Sequence, residues 1–201
     1  LELEPGNPVA LRGASTVELY LGHFEKVVEL NRRALEDDPL SAGTYHNIGG
    51  ALVHLHRFAE AEEALRKALE IDPLKLASRS QLAKCLAKQG RGEEALIVAA
   101  QERREFHRTL AQLKVHEEMG HREEADRLLR EMMDKQGNRA AFQYAELYSL
   151  RGEVDLAFKW LDVAYAERDG GLLGLNNSEE LRPLHKDPRW RPRRDTTTRS
   201  P

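Results

Sequence analysis

The chain has 201 residues, of which 40% are hydrophobic and 32% charged, so it can bury a core in one extended domain or two small ones. Its formal net charge of −3 and its aromatic content of 6% give no sign of a surface that binds nucleic acid or a membrane. No apolar run approaches the roughly 20 residues that span a bilayer. The single cysteine, Cys85, excludes an internal disulfide framework and fits a reducing compartment, which favours a cytoplasmic location. Cys85 itself is expected to be a small buried hydrophobic residue.

A short acidic motif that ends in proline occurs three times in the first part of the chain. Leu1–Pro5 recurs as Ala34–Pro39 and again as Ala68–Pro73, and the three prolines lie 34 residues apart. Proline excludes the helical conformation from the residue before it, so each motif is predicted to end a helix. We interpret Leu1–Pro5 as the end of a truncated repeat, and expect at least one more repeat to precede it.

The stretch between the second and third prolines divides into two amphipathic helices. They are predicted from Tyr45 to about Leu55 and from Phe58 to about Glu70, with a short turn near His56. Each repeat is therefore one helical hairpin. On the solvent face of the second helix, the spacing predicts i,i+4 ion pairs between Glu62 and Arg66 and between Glu63 and Lys67.

This pattern resembles the tetratricopeptide repeat family. The resemblance covers residues 8–168 and implies an all-α fold, an α-solenoid of about five helical hairpins followed by a C-terminal capping segment. In the best copy, the family's aromatic, small and proline positions are held by Tyr45, Ile48, Gly49, Leu52, Phe58, Ala61, Leu65, Ala68 and Pro73. The other copies are marked by Phe24, Ala34 and Pro39, by Leu82, Ala83, Gly90 and Ala95, by Gly120, Ala125 and Leu129, and by Tyr144, Ala145, Tyr148, Gly152, Ala157, Leu161 and Ala164.

The period slips in the middle of the array. Gly90 and Gly120 are 30 residues apart, and no proline or glycine interrupts residues 93–119. Either an unmarked turn lies near Glu105–His107, which we favour, or this stretch is one long helix. The fourth hairpin is accordingly expected to pack with a different twist from the first three or to have shortened helices.

The repeats are predicted to end at Arg168. Residues 169–190 read as a loop and a capping helix that starts at Ser178, with Leu181, Leu184 and Trp190 covering the last hairpin. Residues 191–201 read as a basic tail, expected to be disordered. The closing segment resembles one that follows the repeats of bacterial signalling proteins, including nucleotide cyclases and protein kinases.

The sequence contains no motif that indicates catalysis, a cofactor or a metal. His116 and His121 are five residues apart, which turns a helix by about 140° and separates the two side chains. His46 and His54 share a helix face but have no cysteine or carboxylate in register with them. We therefore expect a protein that is not an enzyme and needs no cofactor or metal.

In tetratricopeptide arrays the first helix of each hairpin lines a concave groove, and the resemblance implies a peptide-binding groove here. Its ligand is expected to be a protein or an extended peptide, with acidic groups favoured, and not a membrane. RNA binding is a third hypothesis, weakened by the acidic body of the chain. A further alternative is the regulatory C-terminal region of a signalling enzyme such as a nucleotide cyclase or protein kinase. The predicted groove residues are Arg12, Thr16, His46, Asn47, Gly50, His54, Ser80, Gln81, Lys84, Lys88, Lys114 and Gln143.

Overall fold

A computed structural model describes residues 7–190 of the chain, so the predicted repeat end at residues 1–5 and the predicted tail at 191–201 lie outside the described residues. Between residues 7 and 190 the chain forms ten α-helices in five consecutive pairs, and no β-strand. The fold is thus an all-α solenoid of helical hairpins, as the repeat predicts. Not one of these helices is both long enough and apolar enough to cross a membrane. The helices are α1 Pro8–Leu21, α2 Phe24–Asp37, α3 Ala42–His54, α4 Phe58–Ile71, α5 Ser78–Lys88, α6 Gly92–Ala100, α7 Glu105–Met119, α8 Arg122–Gln136, α9 Ala141–Leu150 and α10 Val154–Ala166.

The turn inside each helix pair contains one residue in the left-handed conformation. The N–H of the residue after it donates to the carbonyl five positions earlier, at 2.9–3.0 Å, which satisfies a carbonyl at the helix end. Glycine adopts positive φ without steric cost, and four of these five turns use it. The left-handed residues and their φ angles are Gly22 (78°), His56 (57°), Gly90 (76°), Gly120 (75°) and Gly152 (74°).

The connections between the first three pairs follow the proline motifs. Helix α2 ends at Asp37 and α4 ends at Ile71, both two residues before a proline. After α4, the Asp72 side chain accepts a hydrogen bond from the backbone N–H of Leu74 at 2.9 Å. The two helix ends are therefore where the proline spacing predicts them to be.

The first compact unit of the chain extends to Met132, and in its core α3 and α4 approach each other closely. Ala61 and Leu65 of α4 are fully buried, and Gly49 of α3 lies directly against Leu65. A Cβ atom added at Gly49 would lie 2.5 Å from Leu65 Cγ, so only glycine fits at this contact. Cys85 is fully buried in the same core, as expected.

The slipped period comes from α6, which has nine residues where α2 and α4 have 14. The stretch is two helices rather than one, as favoured from the sequence, but the turn lies at residues 101–104, just before the predicted Glu105–His107. These residues begin α7 instead. The expectation of shortened helices in the fourth pair is wrong, because α7 and α8 have 15 residues each and the short helix belongs to the third pair.

The turn at residues 101–104 is stabilised by side-chain hydrogen bonds instead of a glycine or a proline. The guanidinium of Arg108 donates to the backbone carbonyl of Glu102 at 2.9 Å. The Glu102 carboxylate accepts from the backbone N–H of Arg104 at 3.2 Å, and Glu102 is only 6% exposed. Buried polar contacts of this kind close the turn without a local sequence signal.

The second compact unit begins at Met133 and contains α9, α10 and a closing segment of short 3₁₀ helices at Gly170–Gly174, Arg182–Lys186 and Pro188–Trp190. The predicted helix from Ser178 is wrong. Ser178 is buried and its hydroxyl donates to the Glu146 carboxylate at 2.8 Å, so it tethers the segment to α9 rather than capping a helix.

The closing segment packs against the last helix pair through apolar side chains. Leu181, Leu184 and Trp190 are at most 2% exposed and lie in one cluster with Phe158 and Leu161 of α10. The indole of Trp190 also stacks on the ring of His185, with ring centroids 4.4 Å apart. The segment therefore covers apolar surface that α9 and α10 would otherwise expose.

Candidate peptide-binding groove

The predicted groove residues of the first unit occupy corresponding positions on successive first helices. Positions on α3 and α5 correspond when they are 34 residues apart, and positions on α5 and α7 when they are 30 apart. One contact agrees with the 30-residue alignment, and a second shows that α3 and α5 lie side by side. The Lys88 ammonium lies 2.7 Å from the Glu118 carboxylate of α7, and His46 Nδ1 lies 2.9 Å from the Ser78 hydroxyl of α5.

Two side-chain amides stand at the same repeat position in this array. Asn47 of α3 and Gln81 of α5 are both half-buried, and neither side chain hydrogen-bonds to any residue between 7 and 190. The hydroxyl of Ser80 beside them is also buried without a hydrogen-bond partner in the described part of the chain. Each amide offers two N–H donors and an acceptor oxygen, which are the groups that pair with a peptide backbone.

Gly50 leaves open space next to Asn47. A Cβ atom added at Gly50 would have no heavy atom within 4 Å, in contrast to its neighbour Gly49. The corresponding positions on the other first helices of the first unit, α1, α5 and α7, are Thr16, Lys84 and Lys114. Thr16 is exposed, and its hydroxyl donates to the carbonyl of Arg12 one turn earlier at 3.0 Å. The surface is therefore open at α3 and bears longer side chains on α5 and α7.

The positive charge of the predicted groove is smaller than the sequence indicates. Lys88 is neutralised by Glu118, a carboxylate at the corresponding position of α7 that the sequence analysis missed. The 30-residue interval between Gly90 and Gly120 is the signal that would have found it. Arg12 lies 3.9 Å from Asp38, a weak and partly exposed pair. The other basic residues of the predicted groove are Lys84 and Lys114, at corresponding positions of α5 and α7.

The two predicted groove histidines are engaged in contacts between helices. Burial, and then the nearby Lys75 ammonium, lower the pKa of His46 to about 4, so its ring is neutral at neutral pH. The ring of His54 stacks flat on Phe24 of α2, with centroids 4.2 Å apart. His46 therefore adds a neutral polar group to the surface and no charge.

The thiol of Cys85, the single cysteine of the chain, is buried. Burial raises the pKa of the Cys85 thiol to about 11, and the thiol donates to the Phe58 carbonyl at 3.0 Å. Within residues 7–190 no three or more His, Cys, Asp or Glu side chains are grouped so that they could hold a metal ion. Gln143, the last predicted groove residue, is half-buried on α9 in the second unit.

Family models identify the repeats. Two models, each described as a tetratricopeptide repeat, match residues 18–74 and residues 52–113. Residues 18–113 therefore match tetratricopeptide repeats, as the period and proline motifs of this part of the chain predict. No curated protein sequence matches the chain.

Solved structures share the fold at low sequence identity. The tetratricopeptide repeat protein TTC0263 of Thermus thermophilus superposes with a TM-score of 0.66 and 18% identity, over 87% of this chain and 99% of that one. PilW, a type IV pilus biogenesis factor, gives 0.60 and 22% identity, over 92% and 85%. YrrB, a tetratricopeptide repeat protein with an unusual peptide-binding site, gives 0.53 and 18% identity, over 87% and 93%. At such identities the likeness shows the fold alone.

Proposed function

We propose that the chain is a protein–protein interaction scaffold whose first unit binds an extended peptide segment along α3 and α5. The observation that carries this proposal is the pair of amides at Asn47 and Gln81, which occupy corresponding positions and have no hydrogen-bond partner among the described residues. An extended peptide exposes backbone N–H and C=O groups that need partners, and half-buried amides supply both donors and acceptors. The open space at Gly50 supports the proposal, because it leaves room for a backbone beside Asn47.

The ligand is an extended segment with at least one acidic group. Lys84 and Lys114 stand at corresponding positions beyond the amides, and an ammonium forms charge-assisted hydrogen bonds with a carboxylate. All three lysines already have partners within the folded chain, Glu118 in the case of Lys88, so an acidic ligand exchanges with these contacts and gains little from each. Exposed charge pairs are worth only about 0–1 kcal/mol each, so the affinity is modest and falls as salt is added.

The experiment starts with a partner captured by pull-down and then measures its affinity for purified variants by calorimetry. Asn47→Ala and Gln81→Ala should each weaken binding by about fivefold to tenfold, as expected for the loss of one hydrogen bond of about 1 kcal/mol. Gln101→Ala is the matched control, since Gln101 is an exposed amide in the turn after α6. Unchanged affinity in the Asn47→Ala/Gln81→Ala double variant would contradict the proposal.

The remaining expectations stay predictions. A scaffold role without catalysis or cofactor agrees with the absence of catalytic motifs from the sequence, and a cytoplasmic location rests on the cysteine content alone. Regulation of an attached nucleotide cyclase or protein kinase rests on the resemblance of the segment around Asp187–Trp190. The coding sequence upstream of Leu1 tests that alternative directly.

A further inference from the structure

A cavity of about 540 Å³ lies between the second helices α2 and α4, above one face of α3. The residues of α3 that line it are Tyr45, Ile48 and Leu52, which point about 180° away from His46, Asn47, Gly50 and His54 around the helix. The cavity is therefore separate from the predicted groove. Its volume falls within the range of about 300–1,000 Å³ that holds small organic ligands in proteins.

The floor and walls of this α2–α4 cavity are apolar. Tyr45, Ile48 and Leu52 form the floor, while Leu35 of α2 and Ala64 of α4 form the walls. Along α4 the lining extends from Glu60 to Glu70, a length of about 15 Å at the helical rise of 1.5 Å per residue. The cavity is long enough for one ring with a short side chain, and Tyr45 offers an aromatic ring for it to pack against.

Three basic and three acidic side chains line the cavity, and one of the acidic ones has no direct partner among the described residues. The cations at the rim are already paired, because Arg32 lies 3.3 Å from Glu60 and Lys67 lies 2.9 Å from Glu70. Arg66 pairs in the same way with Glu62 and Glu94, at 2.8 and 2.7 Å.

Glu63 lies on the cavity side of α4, and its carboxylate has no hydrogen bond or ion pair with any residue between 7 and 190. The pair between Glu63 and Lys67 predicted from the sequence is wrong, since Lys67 turns to Glu70 instead. A single free carboxylate beside an apolar floor complements a ligand that is apolar at one end and positively charged at the other.

We propose that the α2–α4 cavity binds a small organic cation that joins an aromatic or branched aliphatic body to one ammonium or guanidinium group. The body packs on Ile48 and Leu52, and the cation pairs with the Glu63 carboxylate. The site is independent of the peptide-binding proposal, because it uses the opposite face of α3 and none of the predicted groove residues.

The test is a titration of the whole chain with three ligands of one shape, followed by NMR of labelled isoleucine methyl groups. The chain has three isoleucines, Ile48, Ile71 and Ile97, and of these only Ile48 lines the cavity. The ligands are 2-phenylethylammonium, neutral 2-phenylethanol and anionic 3-phenylpropanoate. A saturable shift of the Ile48 methyl, with the cation binding most tightly and the anion least, supports the proposal. An unshifted Ile48 methyl, or equal affinities for the three ligands, overturns it.

A variant pair isolates the contribution of the carboxylate. Glu63→Gln should weaken binding of the cation by about twofold to fivefold, as expected for one exposed ion pair, and leave binding of the alcohol unchanged. Glu29→Gln is the matched control, because Glu29 is the corresponding residue of α2 and does not line the cavity. Retention of full affinity for the cation in Glu63→Gln overturns the assignment of Glu63. The ligand series in the unmodified chain needs no variant to fold.

Discussion

His56 has the left-handed backbone conformation that glycine has in the other four intrapair turns within residues 7–190. Its φ is 57°, and an L-residue with a Cβ atom is strained there by about 1–2 kcal/mol. Its ring makes an edge contact with Phe58 at a centroid distance of 5.7 Å, and this contact offsets little of the backbone strain. The strain is local to the backbone, so a single substitution should relieve it.

We expect His56→Gly to raise the free energy of unfolding by about 0.5–1 kcal/mol, because relief of backbone strain exceeds the extra flexibility of the unfolded chain. Urea denaturation measures the change. The reverse change at a corresponding turn, Gly90→Ala, should lower the free energy by about 1 kcal/mol, although no atom lies within 4 Å of the added Cβ. A loss of stability in His56→Gly would show that its ring contact outweighs the strain.

Two adjacent glycines of α3 should respond oppositely to the same substitution. In Gly49→Ala the new Cβ would meet Leu65 Cγ at 2.5 Å and the Ala61 carbonyl at 3.3 Å, so α3 and α4 must separate, at a cost of about 1–3 kcal/mol. Gly50→Ala meets no atom within 4 Å and should be neutral or stabilise the helix by up to about 1 kcal/mol. Thermal unfolding of both variants provides the comparison, and equal melting temperatures would remove Gly49 from the helix contact.

His46 should make the stability of the first unit depend on pH. Its pKa is about 4 in the folded chain, whereas the ordinary pKa of an exposed histidine is 6.5, so the unfolded chain binds the proton first as the pH falls. The part of the free energy of unfolding that depends on a neutral His46 is fully present above pH 6.5 and is lost progressively as the pH falls from 6.5 to 4. We expect His46→Gln to reduce the loss of stability over this range. Parallel stability curves for the two proteins, measured by urea denaturation at each pH, would contradict this expectation.

At the scale of elements, α4 and α6 are joined by a closed ring of ion pairs. Arg66 and Arg91 each contact both Glu62 and Glu94, at distances between 2.5 and 2.8 Å. Gln89 also donates to Glu62 at 3.0 Å. The predicted Glu62–Arg66 pair is thus one side of a network that crosses from the second repeat to the third. Several charges in one network stabilise a contact more than isolated surface pairs do.

The closing segment is fastened to α10 by Arg189. Its guanidinium donates to Asp187 and to Asp155 of α10, both at 2.8 Å, and lies 4.2 Å above the ring of Phe158. Asp187 and Asp155 hold the pKa of Arg189 well above its usual value, chiefly through the Asp187 hydrogen bond. An arginine is needed because a lysine cannot bond to both carboxylates in one plane.

We expect Arg189→Lys and Arg189→Ala to lower the melting temperature of the second unit and to expose Trp190. The indole of Trp190 is 2% exposed, so its fluorescence should shift to longer wavelength when the segment detaches. The measurement uses a Trp160→Phe background, in which Trp190 is the sole indole of the chain. Lys186→Ala is the control, since Lys186 is an exposed cation of the same segment. An unchanged emission maximum in Arg189→Ala would show that Arg189 does not hold the segment.

For the whole molecule, the sequence predicts the features that local chemistry determines. The helix ends near Pro39 and Pro73 and the turns at Gly90 and Gly120 follow from the conformational limits of single residues. The turn at residues 101–104 does not follow from such limits, because Glu102 and Arg108 close it through contacts that exist only after folding. Ser178 shows the same limit, since its bond to Glu146 joins residues 32 positions apart and no local pattern encodes it.

In the candidate site, too, some features are predictable from the sequence and others are not. The 30-residue interval places Lys88 of α5 beside a side chain of α7, and an ion pair is found there. That partner is the carboxylate of Glu118, and only the 30-residue interval would have identified it. The α2–α4 cavity is also beyond sequence analysis, because its volume depends on the distance between two helices that are not adjacent in the chain.

The shortened α6 shows how a repeat can change its length without losing its register. The interval from Gly90 to Gly120 lacks four residues relative to the preceding repeats, close to one helical turn of about 3.6 residues. Ala95 and Ala99 lie 34 residues after Ala61 and Leu65 and are fully buried like them, and α6 then ends at Ala100, so the missing residues belong to its C-terminal end. The part of α6 that remains keeps the register of α4 against the core. A repeat can therefore lose about one turn from the end of its second helix while the side chains that pack in the first turns stay in place.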